Sequence, residues 1–563
     1  MRQEIARESS RKIVDTKVSG ISFSEIPGQT ALFTTYLKDP SSLTTYYPNV
    51  RESPLEVASY IPTVLSKYQT DRGELCDALE RINSGFGAGD PTRSNIELLR
   101  RDDVVAVLTG QQAGLFGGPL YTVYKAISAI KLAAELSAAG TPAVPVFWMA
   151  TEDHDLDEVS TASFLEASGK THSSSYRPSS YIQNSPVGLV EIDDGISMVV
   201  NELLAALAPT GFSDGVRSHI ETTWRAGNSL GRAFGETITY LFSSHGLIVL
   251  DPLDSDLKRL AAPIYKLAVE RSDEMVQGIA NRNRELETVG YHSQVKVEDD
   301  YFPLFWHDEN GGRTSIRKDR SGAFRTKTQR DQFTREELLS LAEHDPQRLS
   351  PGVMLRPVVQ DYLLPTVAYF GGGAEIAYFA QNSAAYEVLE RPVTPIFHRQ
   401  SFTVIEPKGS RTIEKLSLGY NDLFKQPESV IMEWSAKHLD PRTAAIFSSA
   451  EESVNTEFHQ IDQLLAELDP TLLNNAATRR RKMLYHIGAL RKKALLAFGR
   501  KNGDAERRIL ELFDAVMPDG HLQERSINVF YFINRYGPEF MKRIYDAADL
   551  TDKRHRILEM LHE

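Results

Sequence analysis

The chain has 563 residues, of which 63 are basic and 76 acidic, so its formal net charge is −13. This length exceeds one compact core and predicts two to four domains of ~100–200 residues each, and the negative charge argues against a general nucleic-acid binder, which usually carries a basic face. Cys76 is the only cysteine, which excludes an intramolecular disulfide and a four-cysteine zinc site.

The sequence shows no targeting or membrane segment. Its first residues, MRQEIARESSRKIV, lack the apolar centre of a signal peptide. No window of about 18 apolar residues occurs, so no membrane span is expected. The starting expectation is therefore a cytoplasmic protein without membrane or nucleic-acid partners.

Buried strands and helices alternate through the first part of the chain. Residues 103–109 (DVVAVLT) form a continuous apolar run, which is typical of a strand covered on both faces. A glycine-rich turn and a helix from Leu120 to near Gly140 follow, and then a second buried run at residues 143–150 (AVPVFWMA). The pattern predicts a parallel, doubly wound α/β sheet, whose further strands are residues 247–251, 365–370 and 393–397.

Two polar segments interrupt this alternation and are predicted to be insertions. Residues 160–235 are polar and broken by prolines, as expected of a segment that covers the sheet. In residues 291–345, the turn Glu309-Asn310-Gly311-Gly312 predicts a hairpin. Residues 326–344 are expected to be helical.

After about Ile405 the apolar spacing changes to steps of three and four, which indicates coiled-coil helices. Asp469-Pro470 separates two such runs and is expected to start the second helix. An antiparallel helical hairpin that pairs within the chain or with a second chain fits this pattern. Its seam positions are Val454, Phe458, Ile461, Leu465, Leu468, Met483, Ile487, Leu490, Ala494 and Ala497.

These patterns divide the chain into a discontinuous core, two insertions and a helical C-terminal part. The core comprises residues 1–159, 236–290 and 346–405. The other segments are insertion 160–235, insertion 291–345, the coiled-coil region 406–520 and a helical tail, 521–563.

The first candidate binding element is the glycine turn that follows residues 103–109. Backbone N–H groups at the start of a helix attract anions, and glycines let a ligand approach the backbone closely. Lys125 lies near the open end of the following helix. The spacing matches neither the dinucleotide-binding nor the P-loop motif, so a tight structural turn is the alternative. The turn reads Thr109-Gly110-Gln111-Gln112-Ala113-Gly114.

An acidic run, TEDHDLDE, follows the second buried strand and contains five carboxylates and one histidine at residues 151–158. Charge at the carboxyl end of a strand belongs where a substrate or a cation can use it. A general base, amine recognition or Mg²⁺ binding would explain it, and acids that suit a helix N-terminus are the alternative. One histidine among flexible acidic side chains is a poor set of ligands for zinc, so no dedicated metal site is predicted.

A third polar cluster combines Arg356 with Gly371-Gly372-Gly373, which stand between a strand and a helix. Arg356 could hold a carboxylate or phosphate through two N–H groups, or could form a surface salt bridge. Glu375 falls in the first helical turn, where it could cap the helix or hold a hydroxyl or amine. His398-Arg399-Gln400-Ser401 is a weaker candidate. No G-x-S-x-G elbow occurs, so covalent nucleophilic catalysis is not expected.

Three long blocks stand in order across residues 109–380: TGQQAGLFGGPLYTVYKAISAIKLA, VFWMATEDHDLDEV and LRPVVQDYLLPTVAYFGGGAEIAYFAQ. The tail adds RYGPEFMKRIYD. Together with the length and the coiled-coil pattern, these blocks resemble the BshC family, the cysteine-adding enzymes of bacillithiol biosynthesis.

The resemblance implies a Rossmann-like core related to class I aminoacyl-tRNA synthetases, with two connective insertions and a coiled-coil region that forms a homodimer. It implies a ligase that joins cysteine through an amide to the amine of glucosaminyl malate. A carboxylate and an amine do not condense readily in water, so ATP (or bound ADP) is the expected nucleotide, with Mg²⁺ left open. The synthetase signatures H-x-G-H and K-M-S-K-S are absent, and residues 117–120 read GGPL instead.

Carried over residue by residue, the resemblance places the Glu152–Asp157 run in the substrate crevice, and the chemistry of amide formation favours catalysis by Asp153, His154 and Asp155 within it. His154 or Asp155 would be the base and Asp153 would orient the amine or a metal. The turn amides and glutamines would hold the activated carboxyl oxygen or a phosphate, and Lys125 and Arg356 would face malate carboxylates or nucleotide phosphates. The full assignment is substrate binding by Gln111, Gln112, Lys125, Arg356, Gln360, Asp361 and Glu375, and nucleotide binding by Gly110, Gly114, Gly371 and Gly372.

Two other functions stay open on the sequence alone. One is a non-catalytic nucleotide-binding scaffold whose coiled coil recruits partners, and the other is a nucleotidyltransferase that acts on another carboxylic acid. The clustering of polar side chains at strand ends favours an enzyme over a scaffold.

Overall fold

The computed structural model describes residues 13–166, 169–319 and 322–562. The first twelve residues, on which the expectation about a signal peptide rests, lie outside this part. Two compact units emerge among the described residues, one formed by residues 13–24, 28–404 and 521–562 and the other by residues 25–27 and 405–520. Among the described residues, none of the helices is long and apolar enough to cross a membrane.

The strands are numbered in chain order. They are β1 (Ile13–Ile21), β2 (Val105–Gln111), β3 (Ala143–Met149), β4 (Thr161–Leu165), β5 (Thr171–Ser175), β6 (Ile248–Leu250), β7 (Tyr301–His307), β8 (Arg313–Lys318), β9 (Phe324–Thr326), β10 (Gln332–Phe333), β11 (Leu349–Pro351), β12 (Thr366–Gly371), β13 (Ile396–His398), β14 (Phe402–Ile405) and β15 (His555–His562).

The α-helices are numbered in the same way. They are α1 (Ala31–Lys38), α2 (Ile61–Lys67), α3 (Arg72–Gly85), α4 (Asp90–Leu99), α5 (Leu120–Ala138), α6 (Leu156–Val159), α7 (Ile196–Ala206), α8 (Ser213–Thr223), α9 (Leu230–Leu241), α10 (Ser255–Glu270), α11 (Ser272–Thr288), α12 (Arg335–His344), α13 (Arg356–Leu363), α14 (Gly373–Val388), α15 (Pro407–Leu416), α16 (Pro427–His438), α17 (Pro441–Leu468), α18 (Leu473–Lys501), α19 (Gly503–Val516), α20 (Gln523–Ser526), α21 (Val529–Tyr536) and α22 (Glu539–Ala547).

A parallel five-stranded sheet forms the centre of the first unit, in the order β13-β12-β2-β3-β6. Val105 and Val107 of β2 share one core cluster with Ala129 and Leu132 of α5. This burial explains the continuous apolar run of the strand, and the predicted parallel sheet is confirmed. Because all five strands run the same way, their carboxyl ends meet at one edge, where ligands bind in open α/β sheets.

Each predicted insertion contains a small antiparallel sheet. The first pairs β4 with β5, and the second contributes β10-β9-β8-β7, with the predicted hairpin turn between β7 and β8. This second sheet is completed by β11, which lies just beyond the predicted boundary at residue 345. The helix expected over residues 326–344 is wrong in its first half, because β9 and β10 occupy that stretch. The helix begins only at Arg335, where Thr334 and Glu337 cap each other's backbone N–H groups.

The tail is only partly helical, which corrects the prediction for residues 521–563. After α22 the chain ends in β15, which lies between β1 and β14 in a three-stranded sheet. Ile557, Leu558 and Met560 are fully buried there. A strand covered on both sides loses the alternation that would reveal it in the sequence, and its partner β1 lies at the opposite end of the chain.

The tail also closes the first glycine turn. The N–H of Leu120 donates to Ile527 O at 2.9 Å, and Asn528 Nδ2 donates to the carbonyls of Phe116 and Gly118, each at 2.9 Å. Gly118 has a φ of +75°, a left-handed conformation that glycine adopts without strain. The start of α5 is therefore occupied by the chain itself.

The second unit contains the predicted helical hairpin, formed by α17 and α18. Arg480 pairs with Asp462 and Arg491 with Glu451, so later residues of one helix meet earlier residues of the other and the hairpin is antiparallel. Helix α18 begins at Leu473, because residues 470–472 form a 3₁₀ turn. Several predicted seam positions remain more than 40% exposed, namely Ile461, Leu468, Met483 and Leu490.

The closure of the turn predicts a large stability effect at Asn528. Replacing Asn528 with Ala should cost about 1–3 kcal/mol for each buried carbonyl that loses its donor. Urea unfolding followed by tryptophan fluorescence would measure the loss. Asn281→Ala, at an exposed position on α11, is the matched control and should change stability by no more than about 0.5 kcal/mol. Equal effects of the two variants would contradict this account of the turn.

Candidate active site

A cavity of about 600 Å³ opens at the carboxyl edge of the central sheet. This volume falls within the ~300–1,000 Å³ that is usual for small-molecule sites. Its walls come from the ends of β2 and β3, the start of α14, the second insertion and the tail, which contributes Arg525. The carboxyl edge of the sheet, where the sequence placed its candidate residues, is therefore an open pocket.

Lys125 connects the two glycine turns beneath this cavity. Its Nζ donates to Gly110 O at 2.9 Å and to Gln111 Oε1 at 2.8 Å, and it pairs with Glu375 Oε2 at 2.5 Å. Three acceptors therefore engage the three N–H donors of the ammonium group. Burial lowers the pKa of Lys125, and the neighbouring Glu375 opposes that shift.

Glu375 is held by three donors, although its side chain is largely buried. Lys125 is the first donor. The N–H of Gly372 donates to Glu375 Oε2 and the hydroxyl of Tyr369 donates to Glu375 Oε1, each at 2.7 Å. Burial alone would raise the pKa of Glu375, but Lys125 and these hydrogen bonds outweigh it and leave the pKa lowered. A Cβ at Gly371 would lie 2.8 Å from Glu375 Cβ, so glycine is needed where the side chain folds back.

Two arginines line the same end of the cavity. Arg356 donates to Gln360 Oε1 at 3.1 Å and to Tyr378 Oη at 2.6 Å. Arg399 forms a two-bond pair with Glu524 of the tail, at 3.0 and 2.8 Å. With Lys125 and the exposed Arg525, they make this end of the cavity cationic; we call it the cationic end.

The opposite end of the cavity is acidic and is built on the run after β3. Gln112 Nε2 donates to Asp153 Oδ2 and to Glu158 Oε2, both at 2.8 Å. The backbone N–H of His154 donates to Asp153 Oδ1 at 2.7 Å. Glu152 lies beside them and is 5% exposed. We call this the acidic end.

His154 is held neutral by its surroundings. Burial and the Arg313 guanidinium lower its pKa from the ordinary value of 6.5, against the pull of Asp153. Arg313 Nη1 lies 3.2 Å from His154 Nδ1. Because arginine only donates, Nδ1 is the acceptor and the ring proton is assigned to Nε2. His154 therefore offers no free acceptor nitrogen in this arrangement.

Two buried cations brace the acidic end from behind. Lys258 forms an ion pair with Glu152 and donates to Leu349 O at 2.5 Å. Arg313 donates to Ser350 Oγ at 2.9 Å and lies 3.8 Å from the ring centroid of Phe305. Burial lowers the pKa of Lys258, and Glu152 opposes that shift. These contacts fix the carboxylates where they face the cavity.

The structure brings together most of the residues that the sequence singled out, and leaves others outside. Among the predicted positions, the cavity is lined by Gly110, Gln111, Gln112, Lys125, Asp153, His154, Arg356, Gly372 and Glu375. Those outside its lining are Gly114, Asp155, Gln360, Asp361 and Gly371.

Each residue outside the cavity has an identifiable structural task. Asp155 caps α6 through the N–H of Glu158, and Gly114 packs so closely on Gly118 that a Cβ would lie 2.8 Å away. Gln360 supports Arg356. Asp361 accepts hydrogen bonds from Tyr386 and from Thr394 inside the core, and its burial raises its pKa. These residues do not line the cavity, so the structure does not place them in contact with a substrate.

Several residues of the site were missed by sequence reasoning. Lys258, which lies behind the cavity wall, had a detectable signal, because it is on the buried face of α10 with Ala261 and Tyr265, where an unpaired charge would be costly. Arg313 directly follows a turn that the sequence did identify. Other missed lining residues, which carried no local signal, include Tyr121, Phe305, Tyr378 and Arg525.

The fit of the predicted nucleotide differs between the two glycine turns. The first cannot cradle phosphates, because Asn528 and Ile527 occupy it. At the second, Gly372, Gly373 and Ala374 at the start of α14 line the cavity beside Arg399, and such helix starts suit anions. For a metal, the described residues contain no group of three or more His, Cys, Asp or Glu side chains that could hold one.

Comparison with known proteins identifies the family of the chain. The protein-family model described as "Bacillithiol biosynthesis BshC, N-terminal Rossmann-like domain" matches residues 17–400. The family model of the C-terminal coiled-coil domain of BshC matches residues 402–560. A solved structure from Campylobacter jejuni described as "putative arginyl t-RNA synthetase" covers 85% of this chain at 10% identity, but its TM-score of 0.23 supports no comparison of folds.

Curated relatives match over nearly the whole chain under the name "Putative cysteine ligase BshC". One from Koribacter versatilis is 35% identical and covers 96% of this chain and 99% of its own. Others from Salinibacter ruber and Solibacter usitatus are 32% and 33% identical, covering 94% and 95% of this chain and 96% and 98% of theirs. With its Rossmann-like core and coiled-coil domain, the chain belongs to the BshC family of cysteine ligases in bacillithiol biosynthesis.

Proposed function

We propose that this chain joins the carboxyl group of cysteine to the amine of glucosaminyl malate, forming bacillithiol through a new amide bond. The observation that carries the proposal is the separation of charge within one cavity. Its acidic end suits an amine, and its cationic end suits carboxylates or phosphates. We expect the reaction in the cytoplasm, where cysteine stays reduced.

Asp153 is the residue best suited to accept the amine proton. It lines the cavity, whereas Asp155 caps a helix outside it and His154 Nδ1 is engaged by Arg313. Gln112 and the His154 N–H fix the two carboxylate oxygens, so the base is oriented before a substrate arrives. Glu152 and Glu158 add negative charge that would retain the ammonium form on entry.

The cysteine carboxyl must be activated before the amine can attack it. ATP, when bound, would supply that activation by giving the carboxyl a leaving group. The residues that would hold the anionic groups of the activated carboxyl in place are Arg356 and the first N–H groups of α14, at the cationic end. Gln111 could donate to the carbonyl oxygen that becomes negative during attack.

The direct test is amide formation by the purified protein from cysteine, glucosaminyl malate and ATP-Mg²⁺, with the thiol product detected by mass spectrometry. Asp153→Asn should lower kcat by about 10²-fold or more, because a general base typically contributes 10²–10⁴. Asp155→Asn is the matched control and should leave kcat near wild type, since Asn caps helices as well as Asp. Failure of the wild-type protein to form product with any nucleotide would refute the proposal.

The pH dependence should report the state of His154. Its lowered pKa keeps it neutral at pH 7, and protonation at lower pH would set it against Arg313, so kcat/KM should fall at pH values below 6.5. Arg313→Gln removes the neighbouring cation, raises the pKa of His154 and should move the acidic limb of the profile to higher pH. An unmoved limb would show that His154 does not set it.

We also propose that the helical hairpin pairs two copies of the chain. Large apolar side chains stand exposed on it, and such surfaces mark protein–protein contacts; they include Leu464, Leu468, Met483, Tyr485 and Leu490. A Leu468→Glu, Leu490→Glu double variant should elute as a monomer in size exclusion with light scattering, whereas wild type and the exposed polar control Gln460→Glu should be dimers. A wild-type monomer would rule the dimer out.

A further inference from the structure

Arg399 differs from the other cations of the cavity in how its donors are used. Nη1 donates to Gln400 O at 2.9 Å and to Glu524 Oε2 at 3.0 Å, and Nη2 donates to Glu524 Oε1 at 2.8 Å. An arginine has five N–H donors in a rigid plane. Among the described residues, nothing accepts from Nε–H or from the second N–H of Nη2.

These two donors form one edge of the guanidinium plane. Nε and Nη2 lie on the same side of the group and can hold both oxygens of a carboxylate at once. The edge lies at the cavity wall, because Nε would be 4.0 Å from a Cβ built on Gly372, a lining residue. Lys125 is less suited to this task, since all three of its donors are engaged.

We propose that Arg399 binds a carboxylate of the malate unit through this open edge, and that Glu524 is the positioning residue that presents it. The identity of the carboxylate rests on the proposed function. The existence of an anion-binding edge at Arg399 rests on the geometry alone.

Glu524 is built to hold Arg399 rigidly. It is 1% exposed, and Ser401 Oγ and the Phe402 N–H also donate to it. Burial would raise its pKa, but Arg399 and the other donors lower it to about 2, so the carboxylate stays charged at neutral pH. Glu524 binds the end of the guanidinium group formed by Nη1 and Nη2, and this leaves the edge formed by Nε and Nη2 to face the cavity.

The cationic end can accept a further anion in electrostatic terms. Lys125, Arg356, Arg399 and Arg525 contribute four positive charges there, against the two carboxylates of Glu375 and Glu524. The substrate carboxylate would lie at this end while the amine of the same molecule reaches Asp153 at the other. The pocket would thus orient the acceptor by its two unlike ends.

The test compares two acceptors and three variants of the full-length protein. Arg399→Lys keeps a positive charge to pair with Glu524 but loses the planar pair of N–H donors. Glu524→Gln keeps the shape of the side chain but loses its negative charge. Asp103→Asn is the control, because it breaks an exposed two-bond pair with Arg101 just before β2, at the opposite end of that strand from the cavity. KM and kcat are measured with glucosaminyl malate, and equilibrium binding is measured for malate, cysteine, ATP and a methyl glucosaminide without carboxylates.

Arg399→Lys should raise the KM for glucosaminyl malate and weaken malate binding about 10- to 100-fold, the effect of losing charge-assisted hydrogen bonds. Glu524→Gln should change the same constants in the same direction and less strongly. Neither variant should alter kcat, cysteine binding or binding of the carboxylate-free glucosaminide beyond about twofold, and Asp103→Asn should match wild type throughout.

The outcomes separate this inference from the proposed function. If the wild type makes no amide but binds malate in a manner that needs Arg399, the proposed reaction fails and the carboxylate edge stands. If amide forms and both variants keep the wild-type KM, the inference fails. Loss of ATP or cysteine binding in place of malate binding would likewise overturn it. Arg399→Lys retains the ion pair, so the test survives if Glu524→Gln does not fold.

Discussion

The buried ion pair between Lys125 and Glu375 is the interaction on which the site depends. Taking two charges out of water costs several kcal/mol per ion, and the pair is stable only because further hydrogen bonds satisfy both groups. Here Lys125 has three acceptors and Glu375 three donors. The pair joins the helices that follow β2 and β12, which are neighbours in the sheet, and so fixes the two glycine turns relative to each other.

The two turns look alike in sequence and differ in what occupies them. The chain's own tail fills the first turn. There Asn528 donates to the carbonyls of Phe116 and Gly118, and Ile527 O accepts from the N–H of Leu120. The second keeps its helix start at the cavity wall, because Glu375 folds back onto the N–H of Gly372, which precedes the helix. One glycine turn is thus a joint between core and tail, and the other is part of the pocket.

Local pattern was enough to predict the parallel sheet, both turns, the acidic run and the hairpin of the second unit. Continuous apolar strands and steps of three and four depend on neighbours in sequence, so they are visible in one chain. The pairs that shape the site join distant segments: Glu152 with Lys258, His154 with Arg313, and Arg399 with Glu524. A sequence shows the type of each residue but not its partner, and for that reason Asp361 was placed in the pocket and Glu524 was overlooked.

An amide-forming pocket must keep opposite charges close without letting them neutralise each other. In this cavity each end carries its own counter-charges, Lys258 and Arg313 beside the carboxylates and Glu524 behind Arg399. These partners weaken the electrostatic attraction between the acidic and cationic ends and keep their side chains apart. Asp153 and Arg399 still face the cavity with part of their polar groups. Such dipoles, fixed before the substrate arrives, need little reorganisation during reaction. The insertion and the tail therefore serve the chemistry by supplying counter-charges, rather than by adding reactive groups.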